Sequence, residues 1–332
     1  MKKITASFAR GISLLTAFAA LLTLFGCAGA PGASDGDGRL GVVSTIFAPY
    51  DFVRQIAGER VENTMLLKPG TDAHSYEPTP QDIIRLQKCD LFIYVGGEND
   101  AWVEDILSSM DTSSMRTIKL LDCVEERYEE EFVDGMDGGH SHEHDGGDGH
   151  DHEHENAEWD EHVWTSPVNA VLICEEITRT LEQMDGANAG IYRSNMEKYG
   201  GELKELDADF RQAAKGAAGD TLVFGDRFPL RYFVEEYGLE YYAAFPGCAS
   251  ETEASAATVA FLIDEVKRDK IPIVFKIELS NENMARTIAE ESGARVETFY
   301  TGHNLSRDDF ENGETYVTLM RRNMELLKEA LG

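Results

Sequence analysis

Nine histidines stand in this chain, and six of them, His140, His142, His144, His150, His152 and His154, crowd into one tract, GGHSHEHDGGDGHDHEHEN. Neutral imidazole is a common ligand for zinc and other borderline divalent ions. Rings at two-residue spacing on a tether can close around one ion in many arrangements, so this tract predicts weak, exchangeable metal capture. Its glycines and acids leave nothing apolar to bury, which predicts a disordered, solvated loop over 134–158. A purely solvating acidic insertion is the plain alternative. Against it, the remainder of the chain holds only His74, His162 and His303.

A loop that fluctuates cannot grip one ion tightly, so a tight site needs donors on rigid elements. The three isolated histidines meet that requirement. His74 lies in KPGTDAHSYEPTP, His162 in DEHVWTSP and His303 in TGHN, each between the end of one predicted element and the start of the next. None sits on an apolar helix face, where a histidine would be read as core.

The elements that must position them alternate. LGVVSTIF (40–47), VENTMLL (61–67) and DLFIYVGG (90–97) read as strands, with PYDFVRQIAG, TPQDIIRLQKCD and ENDAWVEDILSSM as the helices between and after them. Thr79 with Pro80, and Ser166 with Pro167, are helix-start signals, the second opening a helix over 166–184. A charged segment, IYRSNMEKYGGELKELDADFRQAAKG, predicts a connecting helix interrupted at Gly200 and Gly201. Alternation then resumes: TLVFGD, LEYYAAF, IPIVFKIE and ARVETFY as strands, with helices from RFPLRYFVEEYG, ETEASAATVAFLIDEVKRDK, SNENMARTIAEESG and the terminal GETYVTLMRRNMELLKEALG. The fold class is therefore α/β, with two alternating β/α lobes joined by a long helix. Its divisions are 40–185 for the first lobe, 186–218 for the connector and 219–332 for the second lobe. In open sheets of this kind ligands sit beyond the carboxyl ends of the strands.

The net charge of −31 excludes a nucleic-acid partner, since no basic patch appears anywhere. Sixteen acidic residues between Glu125 and Glu161, against Arg127 alone, make a surface that attracts cations. The start, MKKITASFAR followed by GISLLTAFAALLTLFG, has the layout of a secretory signal over 1–26. LFGC resembles the lipobox of bacterial lipoproteins, which implies cleavage before Cys27, lipidation of that residue and a flexible tether over 27–39. A plain signal cleaved after Cys27 is the alternative. Removing Lys2, Lys3 and Arg10 with the leader takes the charge from −31 to −34. Cys89, Cys123, Cys174 and Cys248 show no C-x-x-C spacing; they either bridge or lie buried as thiols.

HSYEPTPQDI and DEHVWTSPVNA together resemble the H-x-Y-E-P-T-P and D-x-H-x-W-x-S-P segments of the solute-binding proteins of bacterial ABC importers for zinc and manganese. The acidic His-rich insertion just before the second motif is similar to that of the zinc-specific members, and the likeness covers essentially the whole mature chain. It implies an extracytoplasmic, lipid-anchored, monomeric receptor, not an enzyme, that hands Zn2+ to an ABC permease. It also implies His74 and His162 as the first two ligands. The family's third ligand falls at Gly225 in VFGD, which has no side chain to give, so His303 is the candidate from the second lobe. A fourth donor is open among Asp226, Glu278, Cys248 and water, with Asp226 favoured because it adjoins the vacated position. Three imidazoles and one oxygen at about 2.0–2.2 Å form a zinc-type shell, whereas manganese prefers more carboxylate. A manganese or iron binding protein, or a zinc hydrolase, are the competing readings; no HExxH helix supports the last.

Overall fold

The structure, a computed structural model, describes residues 38–72, 76–97, 100–136, 159–249 and 253–332. The expected leader, Cys27, His74 and the six clustered histidines lie outside the described residues. Among those described, no helix is long and apolar enough to cross a membrane.

Two four-stranded parallel sheets carry the fold. The first comprises β1 (Leu40–Ser44), β2 (Val61–Met65), β3 (Leu91–Tyr94) and β4 (Arg116–Lys119), in the order β2-β1-β3-β4. The second repeats that order with β5 (Thr221–Phe228), β6 (Glu240–Pro246), β7 (Ile273–Ile277) and β8 (Arg295–Phe299), as β6-β5-β7-β8. All four residues of β3 are buried, as expected of a strand covered on both faces. In each sheet the chain pairs outward on one side and then crosses to the other, so the strand order reverses between β1 and β3 and between β5 and β7. A crevice opens at such a switch point, beyond the carboxyl ends of the strands.

The first lobe carries α1 (Phe47–Ala57), α2 (Pro80–Leu86), α3 (Ala101–Ser109) and α4 (Pro167–Met184). Thr79 caps α2 in a capping box with Asp82, and Ser166 caps α4, both with proline in the first turn as the sequence signals. The connector is α5 (Ala189–Gly216). In the second lobe come α6 (Arg231–Tyr237), α7 (Ala256–Asp269), α8 (Asn283–Ser292), the short α9 (Arg307–Glu311) and α10 (Tyr316–Leu331). The last helix packs back against α5 and α1, so one core cluster runs through both lobes.

Four expectations change. α5 runs unbroken through Gly200 and Gly201. A mid-helix glycine costs about 0.5–1 kcal/mol, but the same helix buries Tyr192, Tyr199, Leu203, Leu206 and Phe210, each contributing about 1.5–3 kcal/mol. Packing therefore outweighs propensity. The helix expected from residue 227 starts at Arg231, because β5 continues to Phe228 through an irregularity between Phe224 and Arg227. β4, half of it exposed, gives no apolar alternation to read. Residues 134–136 form a turn with Met136 buried, so the solvated tract does not begin at 134.

The lobes are stitched by backbone. The first amides of a helix lack intrahelical partners, and in α1 two of them cross the boundary: Phe47 N–H donates to the His303 carbonyl at 2.8 Å and Ala48 N–H to that of Gly302 at 3.0 Å. Gly70 N–H donates to the Leu305 carbonyl, and the Asn304 amide donates to the carbonyls of Lys68 and Thr71. From the other side, Tyr316 N–H donates to the Asp51 carboxylate.

Candidate metal centre

His162 stands at the start of a single 3-10 turn, Val163–Thr165, directly before α4. Asp160 fixes it, accepting its backbone N–H at 2.8 Å and lying 3.0 Å from Nδ1. With Nδ1–H given to Asp160, Nε2 is the nitrogen a metal would take; a carboxylate behind a ligating histidine sets tautomer and orientation in this way. Burial works against charging this ring, but the carboxylates of Asp160, Glu161 and Glu130 outweigh it and hold the imidazole above its ordinary range.

His303 follows β8 on the loop that stitches the lobes. Glu278 organises that loop, accepting from the N–H groups of Thr301, Gly302 and His303 and from the Thr301 hydroxyl. The Thr301 oxygen lies 2.9 Å from Nδ1 of His303. Because the one hydroxyl proton goes to Glu278, the oxygen accepts from Nδ1–H, and this ring too presents Nε2. Burial raises the Glu278 carboxyl, though the bonds it accepts oppose that. Glu278 is therefore a scaffold for the loop.

The two rings meet. Their centroids are 4.8 Å apart, one from each half of the sequence. Trp164 lies 4.8 Å from His303 and 5.4 Å from His162, and its indole N–H donates to the Thr301 carbonyl. Tyr316 in turn donates to the Trp164 carbonyl. A small cleft adjoins, lined by His303, Glu161, Trp164, Tyr76, Trp102 and Asp100 among others.

Two donors escaped the sequence reading in whole or in part. Among the described residues, one group of three metal-ligating side chains has its donor atoms within 4.8 Å of one another: Glu161, His162 and Cys248. Glu161, one acid in a tract of sixteen, carried no signal of its own. Cys248 follows β6, and its backbone N–H donates to Glu130 at 2.8 Å. Burial pushes the Cys248 thiol well up, reinforced by Glu161, Glu130 and Asp160. The four cysteines among the described residues are all free thiols.

Asp226, the favoured fourth donor, is engaged in hydrogen bonds of its own. Its carboxylate accepts from the N–H groups of Arg227 and Ile277 and from the Ser280 hydroxyl, tying the end of β5 to the loop after β7. Burial raises its pKa. Gly225 is a packing position: a Cβ there would come 2.5 Å from Ala285 Cα, so α8 occupies the side on which a ligand would have stood. The next residue but one, Arg227, is 4 % exposed and pairs with Asp72 at 3.1 Å while donating to the Ala249 carbonyl. That pair and the Asn304 bond to Thr71 hold both residues leading toward position 74 against the second lobe.

Two buried imidazoles preset by hydrogen bonds, with a carboxylate and a thiol beside one of them, form a candidate cation site at the carboxyl ends of two parallel sheets. The family model for ZnuA, the zinc-uptake complex component A periplasmic, matches residues 42–330. The chain belongs to the ZnuA family. It is 30% identical over 328 residues to the high-affinity zinc uptake system protein ZnuA of Bacillus subtilis, covering 97% of each chain. It is also 30% identical over 324 residues to the zinc-binding lipoprotein AdcA of Streptococcus pneumoniae, covering 96% of this chain and 60% of that protein. The chain thus spans less than two thirds of the AdcA relative. The crystal structure of the Zn(II)-bound ZnuA-like domain of AdcA superposes with a TM-score of 0.70 at 26% identity, over 89% of this chain and 99% of that one.

Proposed function

We propose that this ZnuA-family chain is an extracytoplasmic receptor that captures Zn2+ as cargo and delivers it to an ABC permease. The observation that carries the reading is the meeting of His162 and His303 across the lobe boundary with Nε2 presented from both rings. His74, whose preceding residues are pinned to the same boundary, is assigned as a third imidazole. Asp226 is given the part of clamp in place of fourth donor. The lobe divisions 40–185 and 219–332, joined by the connector over 186–218, are kept for this mechanism. The last helix serves both sides of the connector. Lipid anchoring at Cys27 and a monomeric state complete the proposal.

The seam of backbone bonds argues for small lobe displacements around the ion. The His-rich tract feeds the site: its carboxyl-terminal end leads within a few residues to Asp160 and His162. Deleting 139–155 is expected to leave tight stoichiometric binding and to slow loading at low zinc. Loss of tight binding in that variant contradicts the two-site scheme. For the receptor reading itself, calorimetric titration with zinc, together with metal analysis after competition against manganese and iron, is decisive. Preferential retention of zinc supports it, and retention of manganese or iron in its place overturns it. A hydrolase reading gains nothing from Glu77, three residues after His74, which is exposed on the surface.

A further inference from the structure

Of the cysteines, Cys89 donates its S–H to the Leu86 carbonyl and Cys174 is wholly enclosed in the core. Both thiols are accounted for by packing. Cys248 is placed otherwise, in a turn at the lobe boundary, beside a carboxylate and an imidazole whose donor atoms lie within 4.8 Å of its sulfur and of each other. In a tetrahedral zinc shell, with Zn–N about 2.0–2.1 Å, Zn–O about 2.0–2.2 Å and Zn–S about 2.3 Å, donor atoms stand roughly 3.3–3.7 Å apart. Closing the observed group requires movements of about 1 Å, within the reach of side-chain torsions.

The backbone around the group is cut to bring these side chains together. A Cβ at Gly97 would lie 2.0 Å from Glu161 Oε2, so the carboxylate occupies space that only glycine leaves. A Cβ at Gly247 would lie 3.0 Å from His162 Cε1 and 3.1 Å from the Phe228 carbonyl oxygen. The residue before Cys248 therefore lies directly on the His162 ring. Glu130 fixes the Cys248 N–H from the strap that precedes the His-rich tract. Glu161 and His162 belong to the first half of the chain and Cys248 to the second, so the group spans the same boundary as the two histidine rings.

We infer that Cys248 is a metal ligand, joining the histidines on the cargo ion with the Glu161 carboxylate beside it, and giving this receptor a sulfur donor from its second lobe. The inference rests on the receptor reading and adds the identity of the donors. As the metal–sulfur bond forms, the S–H proton passes to solvent and no electron is transferred. A thiolate favours zinc over manganese, which suits harder oxygen donors. Cys248 thus acts as a filter for the softer cation.

The test is X-ray absorption at the zinc edge on the mature chain carrying one equivalent of zinc, in parallel with Cys248→Ser. The wild type is expected to show one sulfur scatterer at about 2.3 Å. The variant is expected to show none and to bind zinc more than about tenfold more weakly. Cobalt(II) in place of zinc gives a second reading, a sulfur-to-metal charge-transfer band in the near ultraviolet that Cys248→Ser abolishes. Tight zinc binding by the wild type through nitrogen and oxygen alone overturns the assignment of Cys248 and leaves the receptor standing. A sulfur signal that persists in Cys248→Ser likewise overturns it. Failure of the wild type to retain any zinc sinks the receptor reading first, and the ligand assignment with it. Because the wild-type spectrum alone can refute the proposal, a variant that fails to fold does not protect it.

Discussion

His162 and His303, 141 positions apart in the chain, place their rings 4.8 Å apart and nearly perpendicular. Neither lobe alone holds that pair. Replacing His303 with Ala removes a donor and leaves the loop backbone bonds of Glu278 intact. Zinc affinity is expected to fall by at least about tenfold to a hundredfold, with thermal unfolding of the metal-free protein little changed. Calorimetry checks this, and an unaltered Kd counts decisively against a shared site.

Thr301 acts at one remove from the ion. Its oxygen takes the Nδ1 proton of His303 and its own proton goes to Glu278. Thr301→Val deletes both bonds at nearly constant volume and is expected to weaken zinc binding by about 10–100-fold. Thr301→Ser restores the hydroxyl and should restore affinity. If Ser behaves like Val, the hydroxyl is not the operative group.

The carboxylates around His162 outweigh burial and raise its pKa above the ordinary value of 6.5. Only the neutral ring ligates, so protons begin to displace zinc at a pH above that value as the medium is acidified. Below the raised pKa, apparent affinity is expected to drop about tenfold per pH unit from this ring alone. Asp160→Asn removes the principal charge that raises it, and the onset of the decline should move to lower pH. Titrations across a pH series with each protein read the shift directly; coincident onsets would falsify the assignment.

Asp100 provides a separate test in the metal-free protein. Burial first, and Glu161 next, raise its carboxyl from 3.8 to about 7. A folded state with a raised carboxyl binds the proton more readily than the unfolded chain. The resulting stability is full below pH 3.8 and is lost as pH rises toward 7. That interval corresponds to at most about 4 kcal/mol. Asp100→Asn keeps an oxygen to accept the Val95 and Gly96 amides and cannot ionise. The stability difference between variant and wild type, measured by urea unfolding, should move in favour of Asn between pH 4 and 7. A constant difference would dismiss the raised carboxyl.

The sequence made much of this legible, because parallel strands and their helices print their periods locally and histidines at element ends stand out where histidine is scarce. DEHVWTSP and TGHN marked His162 and His303, whose rings the fold brings together. Glu161 was hidden by its company, and Cys248, one of several open fourth donors, was singled out only by the fold that sets it beside His162. Gly225 could not be explained in one dimension, where a glycine that admits a neighbouring helix and a glycine that has lost a ligand look alike. Gly200 and Gly201 misled for a related reason: local propensity argued for a break, and five buried side chains of the same helix decided otherwise.

The run from Thr301 to Leu305 supplies an imidazole and also the carbonyls that fasten one lobe to the first turn of α1. Grip and clasp are thus a single part. On the proposed receptor reading, undoing the fastening carries that ring, and its hold on the cargo, away with it. On that reading, unloading belongs to whatever outside agent pries these five residues loose.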